Sequence, residues 1–121
     1  MKKVLKKVFA MALVVAALQS CTKANVNDYN VDNCSDTVHF ATEIQPLIIQ
    51  NCATSGCHDA STQAAGYDLT THASISGSAS IVLSAIRWEG GTVPMPQGNP
   101  QLADSLIKKF SCWINQGKLD N

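Results

Sequence analysis

The segment Cys52-Ala53-Thr54-Ser55-Gly56-Cys57-His58 brings two thiols and an imidazole within seven residues of one another. Three arrangements suit that donor set. Cys52 and Cys57 can close a small disulfide loop that leaves His58 exposed. They can join His58 and either His39 or His72 on zinc, which takes four ligands in a tetrahedron. Or both thiols can bond one edge of a porphyrin while the adjacent imidazole lies beneath its iron, which is how covalent haem is held. The usual haem spacing puts two residues between the cysteines; here there are four, and Gly56 lends the longer loop backbone freedom to fold back. The segment alone leaves all three arrangements open.

Toward the N-terminus the composition changes sharply. The 121 residues carry nine cations and nine acids, but Lys2, Lys3, Lys6 and Lys7 crowd the first seven positions. The eleven residues from Val8 to Leu18 carry no charge. A basic head and an apolar run too short to span a bilayer read as a secretory signal peptide over 1–20. The run ends in Leu18-Gln19-Ser20-Cys21, which resembles the lipobox of bacterial lipoproteins, so Cys21 is expected to carry the lipid. Residues 21–39 are expected to be a polar tether, since Asn25, Asn27, Asp28, Asn30, Asp32 and Asn33 offer nothing to a core. Without the signal, five cations face nine acids, a net charge of −4. That balance excludes a nucleic-acid groove, which needs clustered Lys and Arg. Export also places the cysteines in an oxidising compartment, the bacterial periplasm or cell surface.

Toward the C-terminus three helices are expected and no strand. The first begins at a capping-box pattern, Thr42-Glu43-Ile44-Gln45, places Ile44, Leu47 and Ile48 on one face, and delivers Cys52 at its end. The second spans 78–88 with Ile81, Val82, Ala85 and Ile86 on one face and Gly90-Gly91 as its stop. The third is capped by Asn99 with Pro100 at its first position, carries Leu102, Leu106, Phe110, Trp113 and Ile114 as a stripe, and ends at Gly117. Residues 64–76 and 90–98 read as loops. So thin a core calls for a disulfide, a metal or a cofactor to complete it.

Met1 and Met11 leave with the signal, so Met95 is the only methionine of the mature chain. It sits in Val93-Pro94-Met95-Pro96, pinned by proline on both sides and away from any apolar stripe. A core-filling methionine belongs on a helix face; this one suits a fixed ligand loop, with its thioether on the iron face opposite His58.

Taken in order, the helix, the Cys-Cys-His segment, Tyr67-Asp68-Leu69, the middle helix, the Pro-Met-Pro loop and the last helix with Trp113-Ile114-Asn115-Gln116-Gly117 resemble the single-haem class I cytochrome c domain. The likeness is to planctomycete- and Bacteroidetes-type members, often small lipoproteins, and covers residues 40–119. It implies an all-α fold of three or more short helices around one covalent haem c over residues 40–121, with the first and last helices crossing. Cys52 and Cys57 match the thioether positions, His58 the proximal ligand, Met95 the distal ligand, and Phe110 and Trp113 the aromatic character of the last helix. The four-residue gap departs from the family pattern and bears on the tilt of the haem at the Cys52 side.

With Cys52 and Cys57 assigned to haem, Cys34 and Cys112 are expected to form a disulfide. Cys112 falls outside the stripe of its helix and would be an exposed thiol unless covered. His72 is a second distal candidate, read more simply as an exposed side chain; His39 has no assigned role. Arg87 and Trp88, just before the Met95 loop, are candidates to reach a haem propionate, but the simpler expectation is a solvated Arg87 and a Trp88 in the core at a helix end. No Ser-His-Asp or paired-carboxylate constellation emerges, so the expected activity is that of an electron carrier, not an enzyme. A lipid-anchored monomer is expected to exchange electrons with redox partner proteins through a basic docking surface on the partner. The alternatives are a haem-ligand-binding sensor with an open distal site and a haem-free lipoprotein held by disulfides or zinc.

Overall fold

The apolar spacings fold as helices, and the described residues contain no strand. The computed structural model describes residues 34–121; the signal segment 1–20, Cys21 and the tether up to residue 33 lie outside the described residues. A π-helical turn (Phe40–Ile44) runs straight into α1 (Gln45–Asn51). A short 3-10 turn (Ala64–Gly66) precedes α2 (His72–Ile86), and α3 (Asp104–Asn115) closes the fold. The chain is therefore all-α with three α-helices among the described residues.

The stripe on α3 anchors the core. Phe110 and Trp113 are fully buried, with ring centroids 5.6 Å apart. Phe40 from the π turn packs on Trp113 at 5.6 Å, and Ile44 and Ile48 fill the space beneath it. Truncating Trp113 or Phe110 to Ala would cost about 3–5 kcal/mol. Beyond Asn115 the chain turns back at Gly117, whose φ of +95° an L side chain would resist. Its N–H donates to Ile114 O and the Lys118 N–H to Trp113 O, so two carbonyls freed at the helix end are satisfied. The returning tail closes on the first turn, where Asn121 accepts the N–H groups of Phe40 and Ala41.

Each helix starts elsewhere than its sequence pattern suggests. The box at Thr42 does not form. Instead Glu43 reaches back to accept from the His39 N–H at 2.8 Å, starting the turn at Phe40. The second helix begins six residues before the expected Ser78, because Thr71 and Ser74 cap each other reciprocally. Serine in the place of the usual Glu or Gln conceals that signal, and Gly77 inside the helix masks its period. The third begins at Asp104, not Pro100. Gln101 donates its side-chain amide to Ile86 O at 3.0 Å and holds the connector extended.

The segment 34–39, expected in the tether, packs against the core. Val38 is buried, and its N–H donates to Gln116 Oε1 at 2.8 Å. The other end of the Gln116 amide donates to Asp36 O at 2.8 Å. This clamp lies one turn from Cys112, which is disulfide-bonded to Cys34 across 78 residues of sequence. Cys112 is itself buried, where the bonded segment around Cys34 meets α3.

Candidate functional site

Between the end of α1, the wall of α2 and the loop of residues 91–99 lies a cavity of about 440 Å³. Sites for small molecules and cofactors commonly run to about 300–1,000 Å³. Cys52, Cys57, His58 and Met95 all line it. They come from two segments separated by nearly forty residues, and the fold brings them to one space. The wall opposite is apolar: Leu69, Ile81, Val82, Ala85 and Ile86. The four residues read as one face of the second helix are thus the cavity wall, which explains why Ile81 remains partly open to solvent.

Cys52 caps α1, its N–H donating to Ile48 O at 2.8 Å. It is buried and free, and burial, helped by the adjacent Cys57, pushes its thiol up to about 11. Cys57 is free and exposed. The two do not form a disulfide. The loop between them is held from behind by Asp59, whose carboxylate accepts from the N–H groups of Gly56, Ser61 and Thr62 at 2.8–2.9 Å. The Ser61 hydroxyl bonds the same carboxylate and, with the Thr62 N–H, the Thr62 side chain and the Ser61 N–H, holds Asp59 well below the usual carboxylate range.

His58 is fixed at both its backbone and its ring. Its N–H donates to Cys52 O and its carbonyl accepts from Leu69 N at 2.9 Å. Its Nδ1 lies 3.2 Å from Tyr67 O. A carbonyl can only accept, so Nδ1 carries a proton and Nε2 is the ring nitrogen that a metal could use. A thioether donor lies on the same cavity in Met95, half-buried in the loop.

The zinc arrangement is not assembled. Among the described residues no three His, Cys, Asp or Glu side chains converge as a metal site would need. His72 lies outside the cavity lining and is not the exposed side chain expected: its Nε2 donates to Lys118 O at 2.8 Å, and its ring meets Phe40 at 4.7 Å and Trp113 at 5.8 Å. His39 is exposed beside the first turn.

Two expectations are corrected at the end of α2. Trp88 is not in the core; it is 45% exposed, and its Nε1–H donates to Met95 O at 2.9 Å. Arg87 is not solvated; its side chain is only 12% exposed, donates to Ser111 Oγ at 3.1 Å and pairs with Glu89. Sequence reading also passed over Asp59. An Asp followed two and three residues on by Ser and Thr is the pattern of a side chain closing a turn on main-chain N–H groups.

No protein family, no curated protein and no solved structure matches the chain.

Proposed function

We propose that the protein is an electron-transfer cytochrome, with one haem c in the cavity, attached through Cys52 and Cys57 and ligated by His58 and Met95. The observation that carries this reading is the convergence of those four side chains, from two distant segments, on one mostly apolar cavity. The donor set fits the group. Both thiols are free, and each can add across a vinyl double bond, sulfur to one carbon and the proton to the other, with nothing released. A haem bound here supplies a one-electron couple.

The chain's own residues then set the conditions for exchange. Tyr67 O orients the imidazole and holds its tautomer. The Met95 thioether, a soft and neutral donor, favours the ferrous state. Leu69, Val82 and Ile86 keep water from the inner wall. The net charge of −4 that remains after a signal over 1–20 supports docking of a partner with a basic surface. The reading extends to an exported protein held at a membrane by a lipid on Cys21, in the periplasm or at the cell surface, and to an electron carrier in place of an enzyme.

Visible spectroscopy with carbon monoxide tests the reading. The purified protein should be red, with ferrous bands that carbon monoxide does not shift on mixing and alters only slowly, because both axial positions are filled. Bands that shift at once favour the open-site sensor; a colourless protein overturns the cytochrome reading.

A further inference from the structure

We infer that Trp88 is a positioning residue for Met95: its indole N–H holds the main-chain carbonyl of Met95 so that the thioether stays at the cavity. The inference rests on the reading of Met95 as an iron ligand and goes beyond it, because it names what keeps that ligand in place.

Three observations carry it. The loop from Glu89 to Gln101 contains no buried residue, so packing does not fix it. What fixes it is hydrogen bonding to the end of α2. Met95 N–H donates to Ala85 O at 3.0 Å, and Met95 O accepts from Trp88 Nε1 at 2.9 Å, so both main-chain polar groups of the ligand residue are held. Ala85 O also accepts from the Trp88 N–H at 3.2 Å, so one carbonyl ties together the clamp and the clamped residue.

The second observation is conformational. Trp88 has φ +58°, in the left-handed region that bulky residues avoid. The third is that this backbone turns the indole toward the loop while leaving it 45% exposed. Core packing therefore does not account for a tryptophan here, whereas the hydrogen bond does. A loop held by a few hydrogen bonds opens easily, and each bond removed raises the open fraction by about three- to tenfold.

The test uses Trp88→Phe, which keeps a ring and loses the donor, and Trp88→Gly, which also relieves the left-handed backbone. Three quantities are read on the full-length protein: the red-region methionine–iron charge-transfer band, the rate of carbon monoxide entry, and hydrogen exchange at the Met95 amide. Both variants should weaken the band, admit carbon monoxide about three- to tenfold faster and speed Met95 exchange by a similar factor. Amides of α1 and α3 and the melting temperature of Trp88→Phe should stay as in the parent protein. Parent-like values for Trp88→Phe overturn the inference. So does recovery in Trp88→Gly, which would assign the effect to backbone conformation, and so does a uniform rise in exchange across all helices. If the parent protein is colourless, the proposed function fails; Met95 exchange in that protein still decides the clamp, faster supporting it and unchanged overturning it.

Discussion

The Nδ1 of His58 and the carbonyl of Tyr67 lie 3.2 Å apart, with their rings edge to face at 6.3 Å. The acceptor is main chain, so the side chain at residue 67 is not needed to hold the imidazole. Tyr67→Phe should leave the visible spectrum unchanged, whereas His58→Ala should abolish the low-spin spectrum even with both thioether bonds in place. A spectrum altered by Tyr67→Phe would assign the orienting role to the phenol.

Met95 and His72 are the two candidates for the proposed distal position, and their surroundings give opposite expectations. His72→Ala removes a hydrogen bond to Lys118 O and ring contacts to Phe40 and Trp113, so it should cost about 1–3 kcal/mol and leave the spectrum alone. Met95→Ala should cost little stability, open the iron to carbon monoxide and lower the reduction potential. Spectra and chemical melts on both variants separate the two. A change confined to His72→Ala contradicts the assignment of Met95.

The helical class, the end of α1 at Cys52 and the aromatic stripe of α3 were legible in sequence because each rests on short-range periodicity. Cys52, Cys57, His58 and Met95 could be singled out in sequence because their residue types suit few roles, and the structure places all four on one cavity. The helix starts were not. Thr71 and Ser74 cap through hydroxyls, Glu43 caps backward onto His39, and Gln101 is held by a carbonyl fifteen residues away. The partners of Trp88 and Arg87 were hidden for a similar reason: they depend on how the loop and α3 return to the end of α2. Val38 looked like tether because a single apolar residue among polar ones has no period; only Gln116, far along the chain, brings it inside.

The Cys34–Cys112 disulfide closes a loop across 78 residues of sequence. In the chain-entropy model a loop of this length stabilises the fold by roughly 4 kcal/mol. The double variant Cys34→Ala/Cys112→Ala should lose about that much in a urea melt, and hydrogen exchange in α3 should rise. Two alkylatable thiols at these positions in the denatured, unreduced protein would contradict the bond.

Glu43 gives the fold a pH dependence. Its carboxylate accepts from the His39 N–H at 2.8 Å and from the Lys109 ammonium at 2.7 Å, and these hold it below its ordinary value of 4.5. A carboxylate depressed in the folded state stabilises above its unfolded value and stops doing so as pH falls through its folded value. Both side chains are partly solvated, so Glu43→Gln should cost only about 0.5–1 kcal/mol at neutral pH. The gap between variant and parent should close as pH drops below 4.5. A gap that persists in acid would show that the ion pair is not its source.

The intact mass of the exported protein decides between a covalent haem and none. The chain should begin at Cys21, carry acyl groups there, lack two hydrogens for the Cys34–Cys112 bond, and be heavier by one haem that survives denaturation. Cys52→Ala/Cys57→Ala should return the mass without that haem. A parent protein whose denatured mass is that of the polypeptide and lipid alone, with Cys52 and Cys57 free to alkylate, would contradict the account.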